Sequence, residues 1–482
     1  MSAFTQAMNN MSVTKNGGLT LASSGSLNLD WFMAGGSARQ FPDIAKAKFL
    51  AALGENPETA IRILFYLRDV REGSGERSIF EQILGDLCRE VHSPEHQAVV
   101  ARILAKVPEI GRWSDLKVAF NTPMQRVVTK MFAVAIQAEN GLAAKWTPRK
   151  GVVFESVRKY LHLTPKELRT ALVALSNTVE QKVCARQFDQ VDYEKLPSCA
   201  SLRYAKSFHK NDSERYADYL AALEKGEAKV NAGAVYPYQI VAGVRKDRGL
   251  ADAMWKKLPN LMEGCVERIL PVIDVSSSMG VQVTNGVSAM DIAIAIGLYI
   301  SENAPAPFKN EYISFSGSPN FHTVTGDKLD QRVESIRRSG EDCSTNVVGV
   351  FETLLKYAKS NNLKDSDMPT MLTIISDLEF NTQFDRNNYR YGRIGDANET
   401  KYRVTAMEAI KKLYAGSGYT MPKLVFWNVN SPSESNVPVR QDETGTILAS
   451  GFSHNSVRTF MKGSLNPLQG MLDTVYVPRY DF

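Results

Sequence analysis

Apolar residues recur at helical spacing through the first half of the chain, between residues 44 and 263. The clearest stripe, at the spacing i, i+3, i+4, i+7 and i+11, consists of Phe80, Ile83, Leu84, Leu87 and Val91. Thr164, Pro165 and Glu167 form the N-cap, the first-turn proline and the acidic partner of a capping box that starts another helix. Short amphipathic helices cannot bury such stripes singly, so we expect them to stack as an α-solenoid or an irregular bundle.

The pattern changes at Val266, where short apolar runs begin to alternate with helical stretches. The predicted strands cover residues 269–273, 312–315, 371–375 and 424–429, and the predicted helices cover 289–300, 347–358 and 404–414. Alternation of this kind is typical of a mostly parallel sheet with helices on both faces. Ligands of such sheets bind at the carboxyl ends of the strands, so we expect the functional residues there.

A chain of 482 residues is too long for one compact domain, since domains average about 150 residues. We therefore predict a multidomain α + α/β protein with three parts. They are a flexible arm over residues 1–28, an α-helical region over 29–265 and a doubly wound α/β domain over 266–482. The arm is rich in Ser, Asn, Gly and Thr and has few aromatic or charged residues.

Positive charge is concentrated before residue 266. Residues 1–265 contain 36 Lys and Arg against 28 Asp and Glu, a balance of +8, and the remainder contains 21 against 24, a balance of −3. A moderately basic helical region is compatible with a polyanionic partner such as RNA, although +8 over so many residues is also common in proteins without one.

Composition also excludes several protein classes. The chain contains no run of 18 apolar residues, and residues 1–28 contain no apolar segment of a secretory signal. The five cysteines are scattered and form no CxxC pair, which argues against a disulfide scaffold and against a cysteine zinc site. We expect a soluble, cytoplasmic protein that does not contact membranes, and we favour a monomer.

Three polar clusters follow predicted strands or lie between them. Asp274, Ser276 and Ser278 come directly after the first strand, Ser344-Thr345-Asn346 opens a helix, and Ser376-Asp377 follows a later strand. Carboxylates and hydroxyls without imidazole or thiolate form a hard oxygen set that suits Mg²⁺ or another hard divalent cation. Two carboxylates do not fill six positions, so waters and an acidic ligand would complete the shell. The alternative is a set of Ser-rich turns without metal.

This pattern resembles the metal-ion-dependent adhesion site (MIDAS) of von Willebrand factor A (VWA) domains. In those domains the metal is held by a D-x-S-x-S loop, a threonine in a second loop and an aspartate after a central strand. The matching residues in this chain are Asp274, Ser276, Ser278, Thr345 and Asp377. The resemblance implies a VWA-type C-terminal domain that captures an acidic protein partner through its metal.

The combination of a helical half with such a domain resembles the TROVE (Ro ribonucleoprotein-like) family, and still more its largely uncharacterised VWA-containing relatives. The resemblance rests on the stretches 71–77, 196–204, 235–240 and 426–429. It implies a solenoid or ring of HEAT-like helical repeats that binds small or misfolded RNA. The resemblance leads us to expect a histidine at position 238, but this chain has Tyr238 there, so a role that needs the imidazole is not carried over.

Cationic residues in breaks between helices or beside aromatic residues are the candidates for RNA contact, because RNA is bound through phosphates and stacked bases. They are Arg68, Arg71, Arg77, Lys145, Arg149, Lys150, Arg203, Lys206, His209, Lys210, Arg245, Lys246 and Arg248. For each residue alone, a solvated side chain on an outer helix face is the favoured interpretation, but we expect at least one of the clusters to contact RNA. The insertion over residues 381–403 interleaves arginines with tyrosines, so it could gate the metal site, stack on bases or form an ordinary surface loop.

No catalytic motif is present. The sequence contains no G-x-S-x-G, no HExxH and no P-loop. We therefore expect a non-enzymatic RNA-binding protein. Two alternatives stay open: a metal-dependent protein-interaction adaptor that does not bind RNA, and a metal-dependent nuclease.

Overall fold

The computed structural model describes residues 10–284, 286–315, 319–340, 345–384, 403–433, 436–461 and 465–482. Up to residue 268 it is mostly helical. Its elements there are β1 (Met11–Val13), β2 (Leu19–Leu21), α1 (Leu27–Ser37), α2 (Pro42–Glu55), α3 (Pro57–Arg68), α4 (Ser78–Arg89), α5 (Pro94–Ile110), α6 (Gln125–Gln137), α7 (Gly141–Trp146), α8 (Gly151–Tyr160), α9 (Pro165–Ser176), α10 (Val179–Cys184), α11 (Ser198–Asn211), α12 (Ser213–Lys225), α13 (Pro237–Gly243) and α14 (Arg248–Lys256).

The local signals in the sequence explain where several of these helices begin. Helix α9 starts with the expected capping box: the backbone N–H of Thr164 donates to the Glu167 carboxylate at 2.7 Å, and the N–H of Glu167 donates to the Thr164 hydroxyl at 3.2 Å. Helix α4 buries Phe80, Ile83 and Leu84 of the apolar stripe. The capping box is confirmed, and the stripe is confirmed up to Leu84; Leu87 is half-buried, and Val91 lies beyond the end of α4.

The C-terminal region is a six-stranded mixed sheet flanked by helices, consistent with the α + α/β class. The strand order is β12-β11-β8-β3-β6-β7, and every neighbouring pair is parallel except β6 and β7. The elements are β3 (Ile269–Asp274), β4 (Gln282–Thr284), β5 (Val287–Ser288), α15 (Ala289–Asn303), β6 (Glu311–Phe315), β7 (Asn320–Thr323), α16 (Leu329–Arg337), α17 (Val347–Ser360), β8 (Met371–Ser376), β9 (Gln383–Phe384), β10 (Arg403–Val404), α18 (Ala406–Ala415), β11 (Lys423–Asn428), β12 (Thr446–Ser450), α19 (Val457–Met461) and α20 (Pro467–Val475).

The two regions share hydrophobic cores across the sheet. In β3, Leu270 and Val272 belong to one cluster with residues of α1 to α9, whereas Ile269 and Ile273 belong to a second cluster with residues of α11, α13 and α14. Successive side chains of a strand point to opposite faces, so helices from the first half of the chain cover both faces of the sheet. None of the helices in the described part of the chain has the length and apolar character that a membrane crossing needs.

The structure differs from the expectation of a flexible arm. Residues 1–9 lie outside the described residues, but β1 and β2 form an antiparallel hairpin that docks on the C-terminal region. Leu21 and Val437 exchange two backbone hydrogen bonds of 3.0 Å. A Cβ at Gly18 would lie 2.4 Å from the carbonyl oxygen of Phe380, so the small residues of the segment permit a close backbone approach.

Candidate metal centre and nucleic-acid interface

The parallel pairing of β3 with β8 brings the first and third polar clusters together at one end of the sheet. Ile273 pairs with Ile375, so Asp274 and Ser376 end neighbouring strands side by side. The Ser376 hydroxyl donates to Oδ2 of Asp274 at 2.5 Å. The carboxyl ends of these central strands are where a parallel sheet places ligands, as expected from the sequence.

The D-x-S-x-S segment folds into a compact loop. The backbone N–H of Ser276 donates to Oδ1 of Asp274 at 3.0 Å, and the hydroxyls of Ser276 and Ser278 lie 3.0 Å apart. Asp274 and Ser276 are fully buried, whereas Ser278 is exposed. The loop therefore runs from the buried carboxylate of Asp274 to the surface, where the hydroxyl of Ser278 lies.

Asp377 lies against this loop with its carboxylate buried. Oδ1 of Asp377 accepts a hydrogen bond from the backbone N–H of Glu379 at 3.1 Å. The pKa of Asp377 is raised to about 7, mainly by burial and next by the negative charge of Asp274, while hydrogen bonds from the Glu379 backbone and from Ser278 act in the opposite direction. Burial also raises the pKa of Asp274. The influence of Asp274 and Ser278 on Asp377 shows that the first and third clusters converge.

Thr345 is buried and is tied to the third loop. The backbone N–H of Asn381 donates to the carbonyl oxygen of Thr345 at 3.1 Å, and the N–H of Thr345 donates to Oδ1 of Asn381 at 3.4 Å. The second loop is thus held beside the residues that follow Asp377. Ser344, which belongs to the same predicted cluster, lies outside the described residues.

The docked hairpin adds Asn16, which the sequence reasoning missed. Its Nδ2 donates to the carbonyl oxygen of Glu379 at 2.5 Å and lies 3.5 Å from Oγ1 of Thr345. The backbone N–H of Lys15 donates to the Glu379 carboxylate at 2.5 Å. The dipeptide Asn16-Gly17 is a hairpin-turn signal in the sequence, but no sequence pattern shows where such a hairpin docks.

The residues present fit a hard divalent cation. Asp274 and Asp377 are two buried carboxylates that influence each other, and neither forms a salt bridge to any of the described residues. Two adjacent buried negative charges are costly without a positive partner, which a cation would supply. The described residues contain no group of three or more His, Cys, Asp or Glu that could hold a metal, so such a cation would depend on the hydroxyls of Ser276, Ser278 and Thr345 as well.

The RNA candidates around the Gly73 turn are held by structural contacts. Arg68 is 1% exposed, and its Nη2 lies 2.7 Å from Oδ2 of the fully buried Asp115. This corrects the prediction for Arg68, because a buried ion pair is not available to a phosphate. Arg77 is exposed but pairs with Glu81 at 2.8 Å, and Arg71 donates to the carbonyl oxygen of Glu109 at 2.9 Å.

Of the three candidates around Trp146, two are also held by contacts within the protein. Lys145 forms an ion pair with Glu180 at 2.7 Å, and Arg149 donates to the carbonyl oxygens of Ala144 and Thr147 at 2.9 and 2.6 Å. Burial lowers the pKa of Arg149. Only Lys150 of this group is exposed, whereas Lys145 and Arg149 are half-buried.

A third group of candidates lies on α11 and around the start of α14. Arg203, Lys206 and Lys210 are exposed and follow helical spacing on α11. Nε2 of His209 lies 3.0 Å from Oδ2 of Asp247, which places the end of α11 beside three further exposed cations. They are Arg245 and Lys246 in the loop before α14 and Arg248, the first residue of α14.

Most of these charges are unpaired. Arg248 lies 3.4 Å from Asp330. Within the described ranges, no salt bridge involves the other five cations of the group. We call these five the α11 surface: Arg203, Lys206, Lys210, Arg245 and Lys246. Residues 385–402 of the predicted insertion lie outside the described residues.

Two family models match the chain and meet at residue 268. Residues 127–268 match domain of unknown function DUF2828, and residues 268–471 match domain of unknown function DUF7788. "Uncharacterized protein L728" of Acanthamoeba polyphaga mimivirus is 26% identical over 96% of this chain and 87% of its own length. The crystal structure of the Deinococcus radiodurans RO (RSR) protein aligns with a TM-score of 0.46 at 13% identity, over 92% of this chain and 100% of that one.

Proposed function

We propose that the protein is a non-catalytic RNA-binding protein, in which the α11 surface binds RNA and the C-terminal region binds a divalent cation and, through it, an acidic partner. The observation that carries the RNA part is the α11 surface itself. Other cations of this chain are paired with neighbouring acids, such as Lys145 with Glu180 and Arg77 with Glu81. Within the described part of the chain, the five cations of the α11 surface have no such acidic partner, so they are available to phosphates.

The chemistry of this surface favours phosphate contacts over the reading of base edges. Helical spacing places Arg203, Lys206 and Lys210 along one line, which matches successive phosphates of a strand better than a single small anion. Burial raises the pKa of Cys199, and the charges of Arg112 and Arg203 counteract this rise, so Arg112 lies near the same surface. The resemblance to the TROVE family names small or misfolded RNA as the expected ligand.

Salt-dependent binding of a small structured RNA tests this proposal. We expect the affinity to fall steeply as salt rises, because each neutralised phosphate releases counterions. The triple variant Arg203→Ala, Lys206→Ala, Lys210→Ala should bind at least about tenfold more weakly and with a shallower salt dependence. Its matched control is Lys356→Ala, Lys359→Ala, Lys364→Ala, which also removes three exposed lysines from and beside one helix, α17.

Two outcomes would overturn the RNA proposal. Affinity that is independent of salt would contradict phosphate binding, and equal losses in both triple variants would show that only net charge matters. Cleavage of the RNA in Mg²⁺ that disappears in Asp377→Ala would overturn the non-catalytic assignment.

The metal part of the proposal rests on the pair of buried carboxylates at the strand ends. Asp274, Ser276, Ser278, Thr345 and Asp377 would hold Mg²⁺ or a similar ion. The bound ion would offer a positive coordination position to an acidic side chain. Isothermal titration with Mg²⁺ and Mn²⁺ measures this binding directly, and no binding by the folded wild-type protein would contradict it.

An adaptor that does not bind RNA is the second candidate function, and the same buried carboxylates favour it. In that case an acidic partner protein should be captured by the wild type in Mg²⁺ but not in chelator or by Asp274→Ala. RNA binding by the α11 surface would then be absent.

A further inference from the structure

A cavity of about 290 Å³ lies at the opposite end of the sheet from the metal loops. Its walls come from the start of β6, from β7, from α17 and from the segment before β8. The lining residues that matter here are Phe308, Glu311, Phe321, Leu354, Tyr357 and Met368. Glu311 is the first residue of β6, which runs parallel to β3, so the cavity is far from Asp274 at the end of β3.

Glu311 is half-buried and lines the cavity at the first position of β6. Alternation along β6 places Glu311 on the same face as Ile313 and Phe315, and both of these residues are fully buried in the cluster that contains Leu354 of α17. Burial raises the pKa of Glu311. Among the described residues none forms a salt bridge with it. A charged group at an inward-facing strand position without a partner is unusual in a fold that needs no ligand there.

Aromatic rings line the space around this carboxylate. The rings of Phe321 and Tyr357 lie with centroids 5.3 Å apart and planes inclined by 44°, and Phe308 lines the same cavity. Tyr357 is 54% exposed, so the cavity opens to solvent on that side. The faces of aromatic rings attract cations. They also offer apolar contact area to weakly hydrated cations such as quaternary ammonium groups.

We propose that this cavity binds an organic cation of the alkylammonium class, with Glu311 as its counter-charge and Phe308, Phe321 and Tyr357 as its walls. A hydrated metal ion fits less well, because the rings offer no oxygen ligands. An anion would meet the carboxylate of Glu311, and a neutral ligand would leave that charge without a partner. The proposal is independent of RNA binding and of the metal centre.

The other titratable groups of the cavity are His322 and Asp367. Nε2 of His322 lies 2.8 Å from the Ser314 hydroxyl, and burial lowers the pKa of His322, so its ring is neutral at physiological pH. Asp367 is exposed at the rim and accepts a hydrogen bond from the backbone N–H of Lys364 at 2.9 Å. Its charge has the sign that attracts a cation to the opening.

A pair of probes that differ only in charge tests the proposal. Choline carries a quaternary ammonium, and 3,3-dimethyl-1-butanol has the same shape with a neutral carbon in its place. We expect choline to bind to the full chain in isothermal titration and the neutral alcohol to bind at least about tenfold more weakly. Equal binding of the two probes, or no binding of choline, would overturn the proposal.

Variants locate the binding to this cavity. Glu311→Gln keeps the shape of the side chain and removes its charge, so the fold should survive while choline affinity drops about tenfold or more. Tyr357→Leu keeps apolar volume but removes a ring and should weaken choline binding several-fold. The control Asp327→Asn changes an exposed carboxylate outside the cavity and should bind choline as the wild type does. Unchanged affinity in Glu311→Gln would contradict the assignment.

The cation could be a free small molecule or the side chain of a protein, and a second titration separates these sources. A short peptide that contains one trimethyl-lysine presents the same headgroup on a backbone. Tighter binding of the peptide than of choline indicates a protein side chain as the natural ligand, and tighter binding of choline indicates a free molecule. Both results support an alkylammonium site.

Discussion

The candidate residues predicted from the sequence converge at the end of the sheet, whereas in the helical region they are divided between buried and exposed positions. At the sheet end, the charge of Asp274 raises the pKa of Asp377, although about a hundred residues separate the two in the sequence. The hydrogen bond from Ser376 to Asp274 likewise joins residues 102 positions apart. In the helical region, Arg68 is buried in an ion pair while Arg203 is exposed and unpaired in the described part of the chain. A parallel sheet brings strand ends together by construction, whereas a stack of helices leaves each cation to its local neighbours.

Among these predictions, Arg68→Ala should have the largest effect, a loss of stability. Comparison with Arg203→Ala tests whether the buried arginine stabilises the fold while the exposed arginine binds RNA. Arg68→Ala leaves the buried carboxylate of Asp115 without its closest partner, so we expect the free energy of unfolding to fall by about 3 kcal/mol. Arg77, whose Nε lies 3.4 Å from Asp115, limits the loss. Arg203→Ala should change stability by less than about 0.5 kcal/mol yet weaken RNA binding. Urea denaturation of both variants provides the test, and equal stability losses would contradict the distinction.

The second prediction tests the convergence at the sheet end. Asp377→Ala removes one of two carboxylates, so Mg²⁺ should bind about 100-fold more weakly, which corresponds to about 2.7 kcal/mol. The exposed carboxylate variant Asp473→Asn should bind Mg²⁺ as the wild type does. Titration calorimetry measures both, and tight binding by Asp377→Ala would show that the loops do not act together.

The third prediction uses the raised pKa of Asp377. In the folded, metal-free protein this pKa is about 7, above the usual 3.8 of an unfolded aspartate, so the folded state holds a proton that the unfolded state has lost. Its contribution to stability is therefore complete below pH 4 and is lost as the pH rises through 7. In chelator, we expect the wild type to lose about 1 to 2 kcal/mol more than Asp377→Asn between pH 5.5 and 7.5. Parallel pH profiles of the two proteins in urea denaturation would contradict this prediction.

The smallest expected effect concerns the hairpin. Asn16→Ala removes the hydrogen bond to Glu379 and the contact with Thr345, which we expect to weaken Mg²⁺ binding by about threefold to tenfold. Lys15→Ala is the matched control, because Lys15 contacts Glu379 through its backbone N–H. If Asn16→Ala and Lys15→Ala bind Mg²⁺ equally well, the hairpin does not hold the second and third loops in place.

The parts of the fold that could be predicted are those with a strong local pattern. Four strands of the sheet lie where apolar runs predicted them, but β7 and β12 were not anticipated. Strand β7 is a short edge strand whose sequence, Asn-Phe-His-Thr, has no apolar run. The helical character of residues 29–265 followed from the stripes, whereas their packing against both faces of the sheet did not.

The site residues divide for a similar reason. Asp274 and Asp377 were predictable because each lies at or directly after the end of a buried strand. The two strands are parallel neighbours in the sheet, so their carboxyl ends lie side by side. Asn16 was not, because its contact with Thr345 joins residues 329 positions apart and depends on where a hairpin docks. Arg68 was assigned to RNA because an arginine near a turn has the same sequence signature whether or not an acid such as Asp115 lies beside it in space.

The docked hairpin has a consequence for how the chain is made. Thr20 and the residue that accepts its hydroxyl hydrogen bond, Val437, are 417 positions apart. At about 5 to 20 residues per second, the ribosome needs roughly 20 to 80 s to deliver the second partner after the first. During that interval β1 and β2 are a two-stranded ribbon without a third strand to dock on, which is marginally stable in water. Docking of the hairpin is therefore a late event in biogenesis, completed only after the segment that contains Val437 has emerged.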